Sequence, residues 1–217
     1  RGLTEHRRLT FRGGRTGEPR FVGDRLVYLE DCADRRASLR TVGLAGGADR
    51  RLAELLGGGT LAVSSDGRTA VVSQKLLHRQ FYLRDDLHRV DLASGRLEQL
   101  TFGARATEPD LSPDGQRIVA VRRTGGGRNE LAWMPSRGGT LETLYVPAEG
   151  CTVSRPRWSP DGTRIAFSEH RGSGRDIRVL DLATGAVTDV TRDRAIDLEP
   201  AFDPSGRYLL FASDRTG

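Results

Sequence analysis

Three aspartates recur at regular spacing in one short phrase, and carboxylates are common acid/base groups. Asp66, Asp114 and Asp161 each precede a glycine, and the last two stand in Ser-Pro-Asp-Gly. A catalytic pair needs two unlike environments that push the pKa values of its carboxyls apart. A repeated phrase gives each carboxylate the same surroundings instead. We therefore predict that these aspartates close turns and have no role in acid/base catalysis.

Other catalytic signatures are absent from the sequence. It contains no Gly-x-Ser-x-Gly elbow, His-Glu-x-x-His pair, phosphate loop or dinucleotide-binding fingerprint. The four histidines occupy unrelated positions of the repeat and show no metal-ligand spacing. Cys32 and Cys151 lie 119 positions apart without a nearby Cys or His partner, which leaves a single disulfide open. The sequence predicts no catalytic residue, no metal and no cofactor.

The charge balance is weakly basic and widely spread. Lys and Arg number 34 against 29 Asp and Glu, giving a formal net charge of +5 at pH 7. Basic doublets are scattered among acids and do not form one basic surface, so we predict no nucleic-acid partner. No apolar run approaches the length of a membrane span, so no direct membrane insertion of this segment is expected.

The elements that carry these residues repeat along the chain. The turn phrase ends at Gly67, Gly115, Gly162 and Gly206, which are separated by 48, 47 and 44 residues. Three of these glycines have a proline six positions before them, and Pro19 opens an earlier copy with a shortened turn. A fixed period of this length is the sequence signature of repeat architectures.

Each repeat contains four strand-like segments. An apolar strand follows each turn, as in Ile165 to Phe167, and a third strand ends in a second turn at Gly185, before a fourth strand. Four strands in about 45 residues predict an all-β fold, a β-propeller of four-stranded antiparallel blades. One large apolar residue ahead of each turn is expected to pack between blades: Phe21, Leu111, Trp158 and Phe202.

The segment from Trp158 to Phe167 and the one from Asp176 to Gly185 resemble the WD-like repeat of TolB-type propellers. Similar repeats form the periplasmic TolB propeller, gating propellers of prolyl-oligopeptidase-type enzymes and modules of bacterial envelope proteins. The resemblance covers essentially the whole chain. It therefore implies the fold directly and leaves the function open among these classes.

We expect a single, incomplete propeller over residues 1–217, with four whole blades and partial blades at both ends. Residues 3–11 match a fourth strand and are expected to be the last strand of a preceding or closing blade. Either this strand completes the last blade without a third strand, or further sequence completes the ring; the second alternative is favoured. The predicted blades span 16–57, 58–102, 105–147 and 152–192, with a partial blade at 196–217.

A charged residue stands directly before each repeated proline: Glu18, Glu108, Arg155 and Glu199. In the blades of the resembled family the following strand is the innermost one. These side chains are then expected to ring one mouth of the central channel, where they could bind a cationic or mixed-charge peptide. As rim charges they should add little to stability.

The longest link between second and third strands is a second candidate for partner binding. It runs from Gln74 to Asp86 and includes Leu77, Phe81 and Tyr82, more apolar surface than a solvated hairpin needs. Packing of this segment against a neighbouring blade is an equally open alternative.

The favoured function is a non-catalytic platform for a protein or peptide partner, in a periplasmic or secreted protein of the bacterial envelope. The alternative is the gating propeller of a larger prolyl-oligopeptidase-type peptidase whose catalytic domain lies outside this chain. A polysaccharide-acting enzyme with a site at the channel mouth is a third hypothesis.

Overall fold

The computed structural model describes residues 8–10, 14–32, 35–172 and 174–215. Apart from one short 3₁₀ turn at Gly125–Gly127, the regular elements of these residues are strands. The strands, in chain order, are β1 (Arg15–Val22), β2 (Arg25–Cys32), β3 (Arg35–Gly43), β4 (Arg50–Glu54), β5 (Leu61–Val63), β6 (Thr69–His78), β7 (Tyr82–Asp91), β8 (Leu97–Gln99), β9 (Ala106–Leu111), β10 (Arg117–Arg123), β11 (Asn129–Pro135), β12 (Glu142–Tyr145), β13 (Thr152–Trp158), β14 (Arg164–Arg171), β15 (Gly174–Asp181), β16 (Val187–Asp189), β17 (Asp197–Phe202) and β18 (Leu209–Ser213).

The strands form five successive antiparallel sheets, which are the propeller blades. Four sheets have four strands, in the orders β1-β2-β3-β4, β5-β6-β7-β8, β9-β10-β11-β12 and β13-β14-β15-β16. The fifth contains β17 and β18. The predicted all-β fold of four-stranded antiparallel blades is confirmed.

The repeated phrase builds the turn between the first two strands of a blade. In the fourth blade Ser159 Oγ donates to Asp161 Oδ1 at 2.5 Å, and the same carboxylate oxygen accepts from the N–H of Thr163 at 3.0 Å. Gly162 then takes a φ of +70°, which glycine adopts without steric cost. The blades with Asp66 and Asp114 repeat the same bonds. The aspartates therefore close turns, as the repetition predicts.

The hydrophobic core lies between the blades. Three buried clusters join the first blade to the second, the second to the third and the third to the fourth. Leu111 and Trp158 are both 8% exposed and belong to two of these clusters, as predicted. The half-buried Phe202 lies under the Arg164 guanidinium of the fourth blade, 5.4 Å from ring centroid to Cζ.

The prediction for Phe21 is wrong. Its side chain is 76% exposed. Phe21 occupies the packing position of the first blade, and among the described residues no sheet covers that side of the blade. The repeat determines that a large apolar residue stands at this position, but that residue is buried only where a neighbouring blade covers it.

Several other expectations concern the chain ends and single residues. The strand expected at residues 3–11 falls mostly outside the described residues, and of its positions only 8–10 are described, in no strand. Cys32 and Cys151 are both free thiols. In the described part of the chain no helix is long and apolar enough to cross a membrane.

Truncating Trp158 should destabilise the fold strongly. Trp158→Ala removes a buried aromatic ring between the third and fourth blades, and we expect it to lower the free energy of unfolding by about 3 to 5 kcal/mol. Phe21→Ala, at the equivalent but exposed position, is the matched control and should cost less than about 1 kcal/mol. Urea unfolding monitored by circular dichroism measures both values. Equal losses for the two variants would contradict the placement of the core.

The turn carboxylates should stabilise the fold only above acid pH. Hydrogen bonds from Ser159 and Thr163 lower the pKa of Asp161 to about 2, from an ordinary value of 3.8. Because the folded state favours the ionised form, this contribution is complete above the ordinary pKa and is lost as the pH falls towards 2. The stability difference between the wild type and Asp161→Asn should therefore shrink between about pH 4 and pH 2. A carboxyl titration of Asp161 by NMR with a midpoint at the ordinary value would contradict this assignment.

Candidate binding site at the channel mouth

The four charged residues before the prolines share one unusual backbone conformation. Glu18, Glu108, Arg155 and Glu199 have φ angles of +53°, +53°, +54° and +53°. At each position the pairing between the first and second strands of the blade skips, as in a β-bulge. A bulge turns a side chain out of the regular alternation of the strand. The same local distortion therefore aims one charged side chain in an equivalent direction in each of four blades, the first, third, fourth and fifth.

These side chains meet at Arg155, and we call the four residues the mouth cluster. The Arg155 guanidinium contacts Glu18 Oε1 at 2.6 Å and Glu199 Oε1 at 3.7 Å. The backbone N–H of Arg155 donates to Glu108 Oε2 at 2.5 Å. The contact with Glu18 joins the fourth blade directly to the first. The structure therefore brings these four residues together, and their role in binding a partner stays a prediction.

Electrostatics keep the central cation charged. Burial lowers the pKa of Arg155, but the hydrogen bond and negative charge of Glu18, together with Glu108 and Glu199, outweigh burial and raise it above its usual value. A guanidinium already carries its proton at any physiological pH. The cluster is therefore a fixed arrangement of three carboxylates around one permanent cation.

Part of the cluster links neighbouring blades through the backbone. Glu108 N–H donates to Thr60 Oγ1 of the preceding blade at 2.8 Å, and Glu108 in turn accepts the N–H of Arg155 in the following blade. Thr60 lies seven residues before Gly67, as Glu108 lies seven before Gly115. Thr60 and Glu108 therefore occupy the same repeat position. In each of these two blades, the side-chain oxygen at this position accepts the backbone N–H of the residue at the same position in the next blade.

This series of hydrogen bonds from one blade to the next ends at the fourth blade. Arginine has donors and no acceptor, so Arg155 cannot receive the N–H of Glu199 in the same way. Its guanidinium reaches instead towards Glu18. The expectation that rim charges stabilise little stays a prediction. Its premise of an exposed charge holds for Glu199, whose side chain is 64% exposed, whereas Glu108 bonds to the backbone of the next blade.

A second tier of charges lies two residues further along three of the innermost strands. Asp110 accepts the N–H of Trp158 at 2.8 Å, and burial raises its pKa while Arg157 and this hydrogen bond oppose the rise. Burial and the nearby Arg157 lower the pKa of Arg20. Charged groups of both signs therefore lie next to the mouth cluster, on the innermost strands.

A groove of about 420 Å³ opens beside the mouth cluster, over the first three blades. Glu18 and Thr60 line it on the channel side, and Lys75 and Asp85 line it from the base of the second candidate, the link from Gln74 to Asp86. In that link Leu77, Phe81 and Tyr82 are 63%, 83% and 59% exposed. The structure thus places both predicted candidates on the same side of the molecule, with the groove between them.

Of the histidines that the structure describes, only His88 is buried. His88 is buried beside the carbonyl of Asp86, and burial lowers its pKa. Within the described ranges no group of three or more His, Cys, Asp or Glu side chains is placed to hold a metal ion. The mouth offers ion pairing and hydrogen bonding to a ligand.

Sequence reasoning missed Thr60 and the second tier. It identified mouth residues by the following proline, and the second blade has Leu61 in place of that proline. Counting seven residues back from Gly67 would have found Thr60. Counting five back from Gly115 and Gly162 would have found Asp110 and Arg157.

Comparisons with known sequences and structures agree with this architecture. Residues 144–217 match the family model described as TolB beta propeller domain. Over 109 residues the chain is 31% identical to an uncharacterised protein of Agrobacterium fabrum, a match covering 49% of this chain and 36% of that protein. The chain thus spans only about a third of that relative.

Solved structures extend the likeness over nearly the whole chain. TolB from Acinetobacter baumannii aligns with a TM-score of 0.74 at 21% identity, over 90% of this chain and 48% of that one. A puromycin-hydrolysing peptidase of Mycobacterium tuberculosis aligns with a TM-score of 0.69 at 21% identity, over 94% of this chain and 35% of that one. At such identities the likeness shows the fold alone.

The hydrogen bond between Thr60 Oγ1 and the backbone N–H of Glu108 should contribute measurably to stability. Thr60→Val keeps the shape of the side chain but removes the acceptor of the Glu108 N–H, so we expect the free energy of unfolding to fall by about 1 to 2 kcal/mol. Thr60→Ser retains the acceptor and should cost less. Chemical denaturation of both variants measures the difference, and equal stabilities would contradict a structural role for this hydroxyl.

Proposed function

The chain is a TolB-type β-propeller, and from that premise we propose that it is a non-catalytic platform that binds a protein or peptide partner at the mouth cluster. We place it in a periplasmic or secreted protein of the bacterial envelope, a proposal supported by its likeness to TolB. The observation that carries the proposal is the convergence of Glu18, Glu108 and Glu199 on Arg155. A propeller concentrates equivalent positions of its blades at one place, where a single ligand can contact several of them.

The charges of the cluster favour a partner of mixed charge. Three carboxylates around one guanidinium leave an excess of negative charge, and Glu199 is the most exposed acid of those in contact with Arg155. A basic group of the partner can approach Glu199 without displacing Arg155 from Glu18. Exposed charges of this kind contribute chiefly to the association rate and to orientation.

A gating propeller of a larger peptidase is the alternative function. The structural likeness to the puromycin-hydrolysing peptidase supports it, since this chain aligns with about a third of that protein. In such a protein the same mouth would select the peptides that enter the channel. A Gly-x-Ser-x-Gly hydrolase domain in the adjoining sequence would favour this alternative over a binding platform.

Selection from a random dodecapeptide library displayed on phage tests peptide binding directly. We expect the chain to enrich peptides of mixed charge, whose association with Glu199→Gln is slower by about two- to fivefold at low salt and depends less on ionic strength. Glu142→Gln, which neutralises an exposed acid on the outer strand β12, is the matched control and should leave association unchanged. Biolayer interferometry over a range of salt concentrations gives the rates.

Two outcomes would overturn the proposal. One is a selection that enriches no peptide above the level of a blank support. The other is a set of enriched peptides that associate with Glu199→Gln and with the wild type at the same rate and with the same salt dependence.

A further inference from the structure

The second blade carries a hairpin that is longer than its sheet. Strands β6 and β7 pair over ten positions, from Thr69 with Asp91 to His78 with Tyr82. Strand β5 pairs with β6 only as far as Val72, and β8 pairs with β7 only as far as His88. We call residues Gln74–Asp86 the hairpin extension. Beyond its base, the described residues supply no third strand on either side.

The base of the extension is firmly held. The side-chain oxygen of the buried Gln74 accepts the N–H of Leu56 at 2.7 Å, from the link that leads into the second blade. The buried carboxylate of Asp86 accepts from the N–H groups of Gly103 and Ala104 at 2.7 and 2.9 Å, in the link that leaves the blade. Hydrogen bonds to the links on both sides of the second blade therefore fix the base of the extension.

On the inner edge of the extension, Lys75 and Leu77 make no backbone hydrogen bond to a third strand among the residues that the structure describes. Ser73 donates its N–H to the carbonyl of Thr60, which shows that Ser73 points its backbone towards β5. Backbone direction alternates along a strand, so the N–H and C=O groups of Lys75 and Leu77 point the same way, past the end of β5. A segment that paired with them would extend the innermost position of the blade and lie above the groove.

One face of the extension carries an exposed apolar pair near its tip. Leu77 and Leu83 are opposite each other across the hairpin, at 63% and 70% exposure. Lys75 and Asp85 form the next pair on the same face, two residues closer to the base, and both line the groove beside Glu18. The apolar pair, the groove and the mouth cluster therefore form one continuous surface.

Charge adds a further constraint on the occupant. The extension carries three cations, Lys75, Arg79 and Arg84, against one partly exposed acid, Asp85, which lies opposite Lys75 across the hairpin. The other acid, Asp86, is buried. Arg84 donates to the carbonyl of Gly103, whereas Lys75 makes no ion pair within the part of the chain that the structure describes. An acidic side chain near Lys75 and an apolar one over Leu77 and Leu83 would complement this edge.

We propose that the partner segment binds as an added β-strand on the inner edge of β6, along Lys75 and Leu77, with alternate apolar side chains on Leu77 and Leu83 and an acidic residue opposite Lys75. Main-chain hydrogen bonds supply affinity in this mode of recognition, and alternate side chains supply specificity. The strand then leads along the groove to the mouth cluster. This inference rests on the proposed function and specifies the form in which the peptide is bound.

Amide hydrogen exchange by NMR tests the strand directly, with the peptides enriched on the wild-type chain as probes. Bound peptide should slow the exchange of the Lys75 and Leu77 amides at least tenfold. The amides of Leu76 and His78 point towards β7 and should change less, so they are internal controls. A peptide N-methylated at alternate residues should lose binding if the methyl groups fall on the paired edge, and one of the two possible methylation registers should do so.

A side-chain variant provides an independent measurement. Leu77→Asp should weaken peptide binding at least tenfold, because it places a charge on the apolar pair. Val146→Asp, at a residue 58% exposed beyond β12 on the third blade, is the matched control and should bind as the wild type does. Unchanged exchange at Lys75 and Leu77 together with unchanged affinity of Leu77→Asp would overturn strand addition.

The outcomes separate this inference from the proposed function. If Glu199→Gln slows association while Leu77→Asp binds as the wild type and the two amides exchange as before, the mouth function stands and strand addition fails. If the amides are protected and Leu77→Asp binds weakly while Glu199→Gln has no effect, the hairpin binds the peptide and the mouth cluster does not. If neither variant differs from the wild type, both are wrong.

Discussion

The face-to-face packing of successive sheets is the interaction on which the rest of this structure depends. Each of the three large buried clusters is shared by two blades, so the described blades acquire their apolar cores from their neighbours. Trp158 and Phe21 illustrate the consequence, since the same repeat position is buried where a blade covers it and exposed where none does. Because packing uses the faces of the sheets, the inner ends of the first strands and the tips of the hairpins are free to carry polar or exposed groups.

Those free positions are where the candidate site lies. A bulge before the repeated proline turns one side chain per blade inwards in four blades, at the cost of a left-handed backbone conformation in a residue other than glycine. The bonds that Glu108 and Arg155 make across blades contribute to holding these positions in place. The mouth cluster thus contains residues of two kinds. Glu108 forms a hydrogen bond to a neighbouring blade, whereas Glu199 extends into solvent.

The repeat made the fold accessible from sequence. Turn glycines at constant spacing and the aspartates beside them determine a local hydrogen-bond pattern that depends on few distant residues, and the structure repeats that pattern at Asp66, Asp114 and Asp161. The inward direction of Glu18, Glu108, Arg155 and Glu199 could be expected from the repeat and its resemblance. Their bonds could not, because the contact between Arg155 and Glu18 joins residues 137 positions apart and depends on how the blades curve around the axis. The exposure of Phe21 likewise depends on a neighbour that the local sequence does not specify.

Arg155 also determines the symmetry of the mouth. Blades of similar sequence around one axis have approximate rotational symmetry. A ligand on that axis would find nearly the same contacts in several rotational orientations. The acceptors Thr60 and Glu108 follow this repeat, each binding the N–H of the next blade, whereas Arg155 interrupts the series and turns to the opposite side. One substitution in the pattern therefore converts a pseudo-symmetric opening into one with a unique orientation. On the proposed function, a ligand that contacted this cation would be bound in a single rotational orientation, and an asymmetric peptide would then meet the mouth in a defined direction.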